Sequence, residues 1–104
     1  MAQFDVYANP NPATNQTIPY VLDIQADLLS NLTTRVVIPL YTVSAMGKAA
    51  KHLNFQFSVK RTAVVMSTAE LAGVAVSSLG NKVGSLKEHR NEIIAAIDFL
   101  VTGF

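Results

Sequence analysis

Few side chains in this 104-residue sequence are of the types that make or break bonds. His52 and His89 are the two histidines, and neither belongs to a His-Glu-x-x-His pattern. The sequence holds no serine elbow, no Walker loop and no paired-glycine fingerprint for a dinucleotide. His89, beside Arg90 in the last helical segment, reads as a solvated helix residue, and His52, near Lys51, reads the same way. Arg35 is more informative, because it follows Thr33 and Thr34 and precedes an apolar run. An arginine flanked by hydroxyls can hold a scissile phosphate. Its other reading is structural: it closes the mouth of a barrel or pairs with Asp23 or Asp27. Those two aspartates lie four residues apart and lack the further ligands a metal site requires. The expectation is no catalytic residue, no metal and no cofactor.

The elements that must position these residues are mostly strands. Gln3 to Tyr7 alternates, with Phe4 and Val6 on one face. The segment from Ala8 to Thr17 is polar, carries Pro10 and Pro12 and has no period, which predicts an exposed, mobile loop open to a partner. Tyr20 to Gln25 predicts a second strand with Tyr20, Leu22 and Ile24 inward and Asp23 and Gln25 outward. Leu28 and Leu29 then stand side by side before a polar turn, and neighbouring side chains on an extended chain point opposite ways, so at least one is a candidate for exposure. Arg35 to Leu40 reads as a strand buried on both faces, with Pro39 ending its regular pairing or marking an edge. Thr42 to His52 allows a short helix weakened by Gly47.

Phe55 to Val59 and Thr62 to Met66 predict a hairpin. Lys60-Arg61 lacks the glycine or asparagine of a tight primed turn, so a longer loop is expected there. Val74 to Val76 predicts one more short strand. In the last segment Ser85 and Glu88 have capping-box spacing. Leu86, Ile93, Ile97, Leu100 and Phe104 make one helical stripe, and Ile94 and Val101 a second. A helix apolar on two sides packs one on its own barrel and the other on a second copy, which places Ile94 and Val101 at a homodimer interface. Gly103 suits a left-handed helix end.

Composition narrows the function classes. A chain of this length is one domain, residues 1–104, and buries enough surface to fold without disulfides or a structural metal. With no cysteine, zinc-finger and thiol chemistry are excluded. Eight basic and seven acidic residues give a net charge of +1, too little for a protein whose main partner is a phosphate backbone. Low charge with positive mean hydropathy points to apolar surface covered by another chain. No stretch reaches the roughly 18 apolar residues of a membrane span. The N-terminus has no export signal, so the protein is expected to stay where it is made.

Gln3-Phe4-x-Val6-Tyr7, Asp23-Ile24-Gln25-Ala26-Asp27-Leu28-Leu29, Arg35-Val36-Val37-Ile38-Pro39-Leu40, Val74-Ala75-Val76 and the ending Asn91-Glu92-Ile93-Ile94 to Thr102-Gly103-Phe104 occur in this order across nearly the whole chain. Together they resemble the CcdB family of plasmid-addiction toxins. The resemblance implies a mainly β fold, an SH3-like barrel with a C-terminal α-helix, in a cytoplasmic homodimer without catalytic activity. It also implies two partners: the A subunit of DNA gyrase, trapped in its DNA-cleaved state, and a CcdA-like antitoxin that removes the toxin. By position the gyrase contacts are Leu28, Leu29, Asp98, Val101, Thr102, Gly103 and Phe104. The familiar family ending is Trp-Gly-Ile, whose tryptophan stacks on an arginine; Thr102 has no ring, which removes a contact of about 0.5–2 kcal/mol. The loop from Ala8 to Thr17 and nearby strand edges are candidates for the antitoxin peptide. Two other readings follow from the same residues: a MazF-like endoribonuclease using Arg35, and a non-toxic homologue that binds only antitoxin.

Overall fold

The computed structural model describes residues 1–46 and 54–103. Seven short strands form one curled antiparallel sheet: β1 (Asp5–Ala8), β2 (Tyr20–Asp23), β3 (Thr34–Thr42), β4 (Gln56–Val59), β5 (Thr62–Met66), β6 (Ala72–Ala75) and β7 (Lys82–Ser85). Their order is β4-β5-β3-β2-β1-β7, with β6 also on β3. A short helix α1 (Val43–Met46) follows β3, and the long helix α2 (Arg90–Thr102) ends the described chain. The rest of the predicted short helix, with His52, lies outside the described residues.

Cross-strand register explains the core. Val6 pairs Leu22, which pairs Ile38; Leu40 pairs Met66, and Phe57 pairs Val64. Direct partners share a face, and these side chains are all at most 5% exposed. Ile93 and Ala96 of α2 lie on this layer, with Ile94 and Ile97 partly buried against it. The mainly β fold with a C-terminal helix is therefore as the periodicity indicated.

Asp23 and Gln25 correct the expectation for β2. They do alternate with Leu22, but the face they occupy is also buried: Asp5, Tyr7, Asp23, Gln25, Arg35 and Val37 are at most 7% exposed. The sheet curls, and on that side Val74, Ser78 and Leu79 line a common cavity with Val21 and Val37. Period-two patterning separates two faces without saying which of them meets water.

Pro39 does not sit at an edge, and it interrupts the regular pairing of β3 on one side only. It pairs Val21 of β2, and on its other side the partner of β3 changes from β6, along Thr34–Val37, to β5, along Leu40–Thr42. The Pro39 carbonyl accepts from the Ser67 amide at 3.1 Å. N and O of a strand residue point the same way, so the donor that proline lacks falls in the gap between two partner strands.

The Lys60-Arg61 turn is tight after all. Val59 pairs Thr62 directly, leaving a two-residue connection with φ of 48° and 65°. Positive φ at both positions is the primed-turn conformation, at a cost of roughly 1–2 kcal/mol per non-glycine residue. Buried Phe57, Val59 and Val64 set the strand register, and register dictates the turn. Phe4 is a third non-glycine residue at positive φ, 72°, just before β1. Its amide donates to the Asp23 carbonyl and its carbonyl accepts from the Leu86 amide. Long-range bonds on both sides and a ring that is 2% exposed hold that conformation.

The capping box does not form. Ser85 is the last residue of β7, opposite Asp5, and its hydroxyl accepts from the Lys87 amide at 3.2 Å. A 3-10 turn, Lys87–His89, intervenes before α2 begins at Arg90, and neither helical start carries a side-chain cap bond. Gly103 does take the left-handed end, with φ 78° and its amide donating to the Phe99 carbonyl. The polar loop after β1 is exposed but built: Asn9 Nδ2 donates to Thr14 Oγ1 and to the Ile18 carbonyl, and the Asn9 and Asn11 side chains accept from the amides of Asn11 and Ala13. Asparagine side chains stand in for the absent strand ladder.

Candidate functional site

Arg35 is fully buried and belongs to the interior. Its Nη2 and Nε lie 2.7 and 2.9 Å from Asp23 Oδ2, and Nη2 is 3.5 Å from the Gln25 carbonyl. Of the sequence alternatives, pairing with Asp23 is the one formed. Asp27 turns elsewhere and accepts from the Gln3 amide at 2.8 Å. Burial pushes the Asp23 carboxyl above the usual carboxylate range, opposed by hydrogen bonds from Arg35 and from the Gln25 amide. Beside it Asp5 accepts from the Tyr7 hydroxyl and pairs with Lys82 at 3.3 Å. Among the described residues no three acidic or histidine side chains gather in a way that would hold a metal.

His89 is less solvated than expected. It precedes α2 instead of lying within it, its ring sits 4.8 Å from that of Phe57, and Nδ1 is 3.1 Å from Glu92 Oε1.

Outside this interior the two most exposed large apolar side chains among the described residues, Leu28 and Val101, lie at separately supported points. The first is a 3-10 turn, Asp27–Leu29, on which Leu28 is 96% and Leu29 50% exposed. Turns of this kind close locally, here by Leu29 amide to Ala26 carbonyl and Ser30 amide to Asp27 carbonyl. Gln25 adds a tie from below, its Nε2 donating to the Leu29 carbonyl at 2.8 Å. An open groove lined in part by Met1, Leu32, Ala75 and Val76 continues the apolar surface from Ser30. Sequence reasoning missed that groove, since its walls come from residues more than forty positions apart.

The second point is the end of α2. Val101 is 74% exposed, and Asp98, Thr102 and Gly103 are exposed beside it. The Thr102 hydroxyl donates back to the Asp98 carbonyl at 2.7 Å. Ile94 is placed differently from Val101, being partly buried against the protein's own core. Phe104 lies outside the described residues. The helix packs against the 3-10 turn Thr68–Glu70, whereas the dileucine turn is tied to Gln3 and Gln25.

Residues 3–103 match the family model of the CcdB protein. The chain belongs to the CcdB family. Its members are the toxin halves of toxin–antitoxin pairs, and the fold described above agrees with solved toxin structures. One, an endoribonuclease in complex with its cognate antitoxin from a mycobacterial species, superposes with TM-score 0.78 at 12% identity, covering 97% of this chain and 94% of that one. Another, the Mycobacterium tuberculosis toxin MazF-mt6, gives TM-score 0.67 at 18% identity over 79% of this chain and 84% of that one. At such identities the likeness is one of fold, and the CcdB and MazF toxins share it. Among the described residues no helix is long and apolar enough to cross a membrane.

Proposed function

We propose that this CcdB-family protein is a homodimeric cytoplasmic toxin that binds the A subunit of DNA gyrase, traps the cleaved gyrase–DNA complex and is neutralised by a CcdA-like antitoxin. The observation that carries the reading is the pair of projecting apolar points, Leu28 and Val101, the two most exposed large apolar side chains among the described residues, both at family contact positions. Leu28, Leu29, Asp98, Val101, Thr102, Gly103 and Phe104 are the working surface. The mechanism is association without bond chemistry. A two-fold toxin seated between two equivalent gyrase arms makes each contact twice and resists their closure, so the cleaved DNA is not resealed. Leu28 and Val101 supply surface whose dehydration drives binding, and Asp98 supplies a carboxylate for a basic partner group.

The ribonuclease reading would use Arg35, which is sealed in the interior and bonded to Asp23. It does not reach a phosphate in this conformation.

The test is a supercoiling and cleavage assay with purified gyrase, DNA and ATP, using the intact chain and one lacking residues 102–104. Linear, protein-linked DNA with the intact chain alone is the expected result. A folded dimer without effect, yet able to bind CcdA-like peptide, would make the protein a non-toxic homologue. RNA cleavage abolished by Arg35→Ala would make it a ribonuclease.

A further inference from the structure

We propose that Gln25 is the positioning residue of the dileucine turn, holding Leu28 outward in the conformation that meets the partner; this rests on the gyrase-binding reading above. A three-residue 3-10 turn has little to keep it in one state. Its own bonds are local, and Leu28 at 96% exposure contributes almost no packing that would fix it. Besides the Gln3 amide on Asp27 Oδ1 at 2.8 Å, the turn is hung on a buried side-chain amide. Gln25 is 6% exposed, and its Nε2 donates to the Leu29 carbonyl at 2.8 Å while its Oε1 accepts from the Val36 amide at 3.0 Å.

The residue type is specific to the task. β2 ends at Asp23, so the Val36 amide on β3 has run past its partner strand and needs an acceptor. The Leu29 carbonyl, which also accepts from the Leu32 amide at 3.2 Å, takes its second donor from Gln25. A carboxamide carries both acceptor and donor on one planar group, whatever the pH. The backbone of Gln25 is pinned as well, its amide donating to Asp23 Oδ1 at 3.0 Å and its carbonyl facing Arg35 Nη2 at 3.5 Å. A chain of bonds therefore runs from the buried ion pair through Gln25 to the exposed turn. Free of this tie, the turn would spread over several conformations, and binding would be weakened by the fraction that is competent.

Gln25→Met keeps the volume and removes both side-chain bonds. In the free protein, amide exchange at Ser30 and Leu32 should rise about tenfold, the loss expected of one buried hydrogen bond, with exchange in the centre of β3 unchanged. Against the gyrase A subunit, Gln25→Met should bind about tenfold more weakly. Leu28→Ala should then cost less in the Gln25→Met background than in the intact chain, because a leucine that is not held gains less from being there. A variant that only lowered global stability would leave the Leu28→Ala cost the same and raise exchange everywhere. Gln25→Glu, which keeps the acceptor for Val36 and removes the donor, gives the same exchange readout should Gln25→Met fail to fold. Unchanged exchange at Ser30 and Leu32, or independent costs in the cycle, overturns the proposal. An intact chain that does not bind gyrase at all overturns the gyrase reading, while the exchange measurement still decides the role of Gln25 in the turn.

Discussion

The Asp23–Arg35 pair and Leu28 obey opposite rules. Both members of the pair are 0% exposed, so Asp23→Ala would strand a guanidinium in the interior. Breaking a buried pair from one side costs about 3–5 kcal/mol, and urea unfolding of Asp23→Ala should show a loss of that size. Leu28→Ala should leave the unfolding midpoint within about 0.5 kcal/mol of the parent, since the side chain packs on little. The same change should weaken gyrase binding about tenfold, measured by calorimetry, because a projecting apolar group acts at an interface and not in the core. Tyr7 adds a pH signature. Burial, with the Asp5 and Asp23 carboxylates nearby, pushes its hydroxyl up to about 12 from a usual 10.0. The unfolded chain thus gives up this proton first as pH rises. The contribution of Tyr7 is whole below pH 10 and falls away as pH climbs towards 12, where chemical denaturation should find the protein progressively weaker.

Among the elements, the β4–β5 hairpin carries strain that its sequence does not relieve. Lys60 and Arg61 both take positive φ, where asparagine and glycine are at ease. Replacing them by Asn-Gly should stabilise the protein by about 1 kcal/mol, read as a rise in melting temperature with an unchanged fold. No rise would mean that the two basic residues gain elsewhere what the backbone loses. The start of α2 shows a related conflict. Ser85 has the chemistry of a helix cap, but pairing with Asp5 claims it for β7 first, and the helix begins five residues later without a side-chain cap. Sheet pairing made over long sequence separation overrides a local signal.

For the whole molecule, the proposed mechanism needs two-fold symmetry. Sedimentation equilibrium at micromolar concentration should return the mass of two 11.2 kDa chains. A chain that is monomeric throughout would remove the symmetry argument, and with it the explanation of inhibition without chemistry. The narrowness of the free helix face bears on the same point: with Ile94 packed on its own core, Val101 is the member of that stripe still available to a partner.

Much of this protein was legible in its residue order alone. Alternation in β2, the apolar run of β3, the spacing of Leu86, Ile93 and Ile97, the glycine at the helix end and the adjacent leucines before a turn are local patterns, and local geometry reads them directly. What the order of residues left open were relations between distant segments. Asp23 and Gln25 look like solvent-facing strand residues until the curl of the sheet closes over them. Arg35 was open to a phosphate or a carboxylate until β2 and β3 paired. Pro39 is accommodated because two strands part beside it, and Gln25 matters because the carbonyl of Leu29 in a turn and the amide of Val36 in β3 meet at its side chain. Period and propensity are properties of a few neighbouring residues, whereas burial and hydrogen-bond partners exist only once the whole sheet has closed.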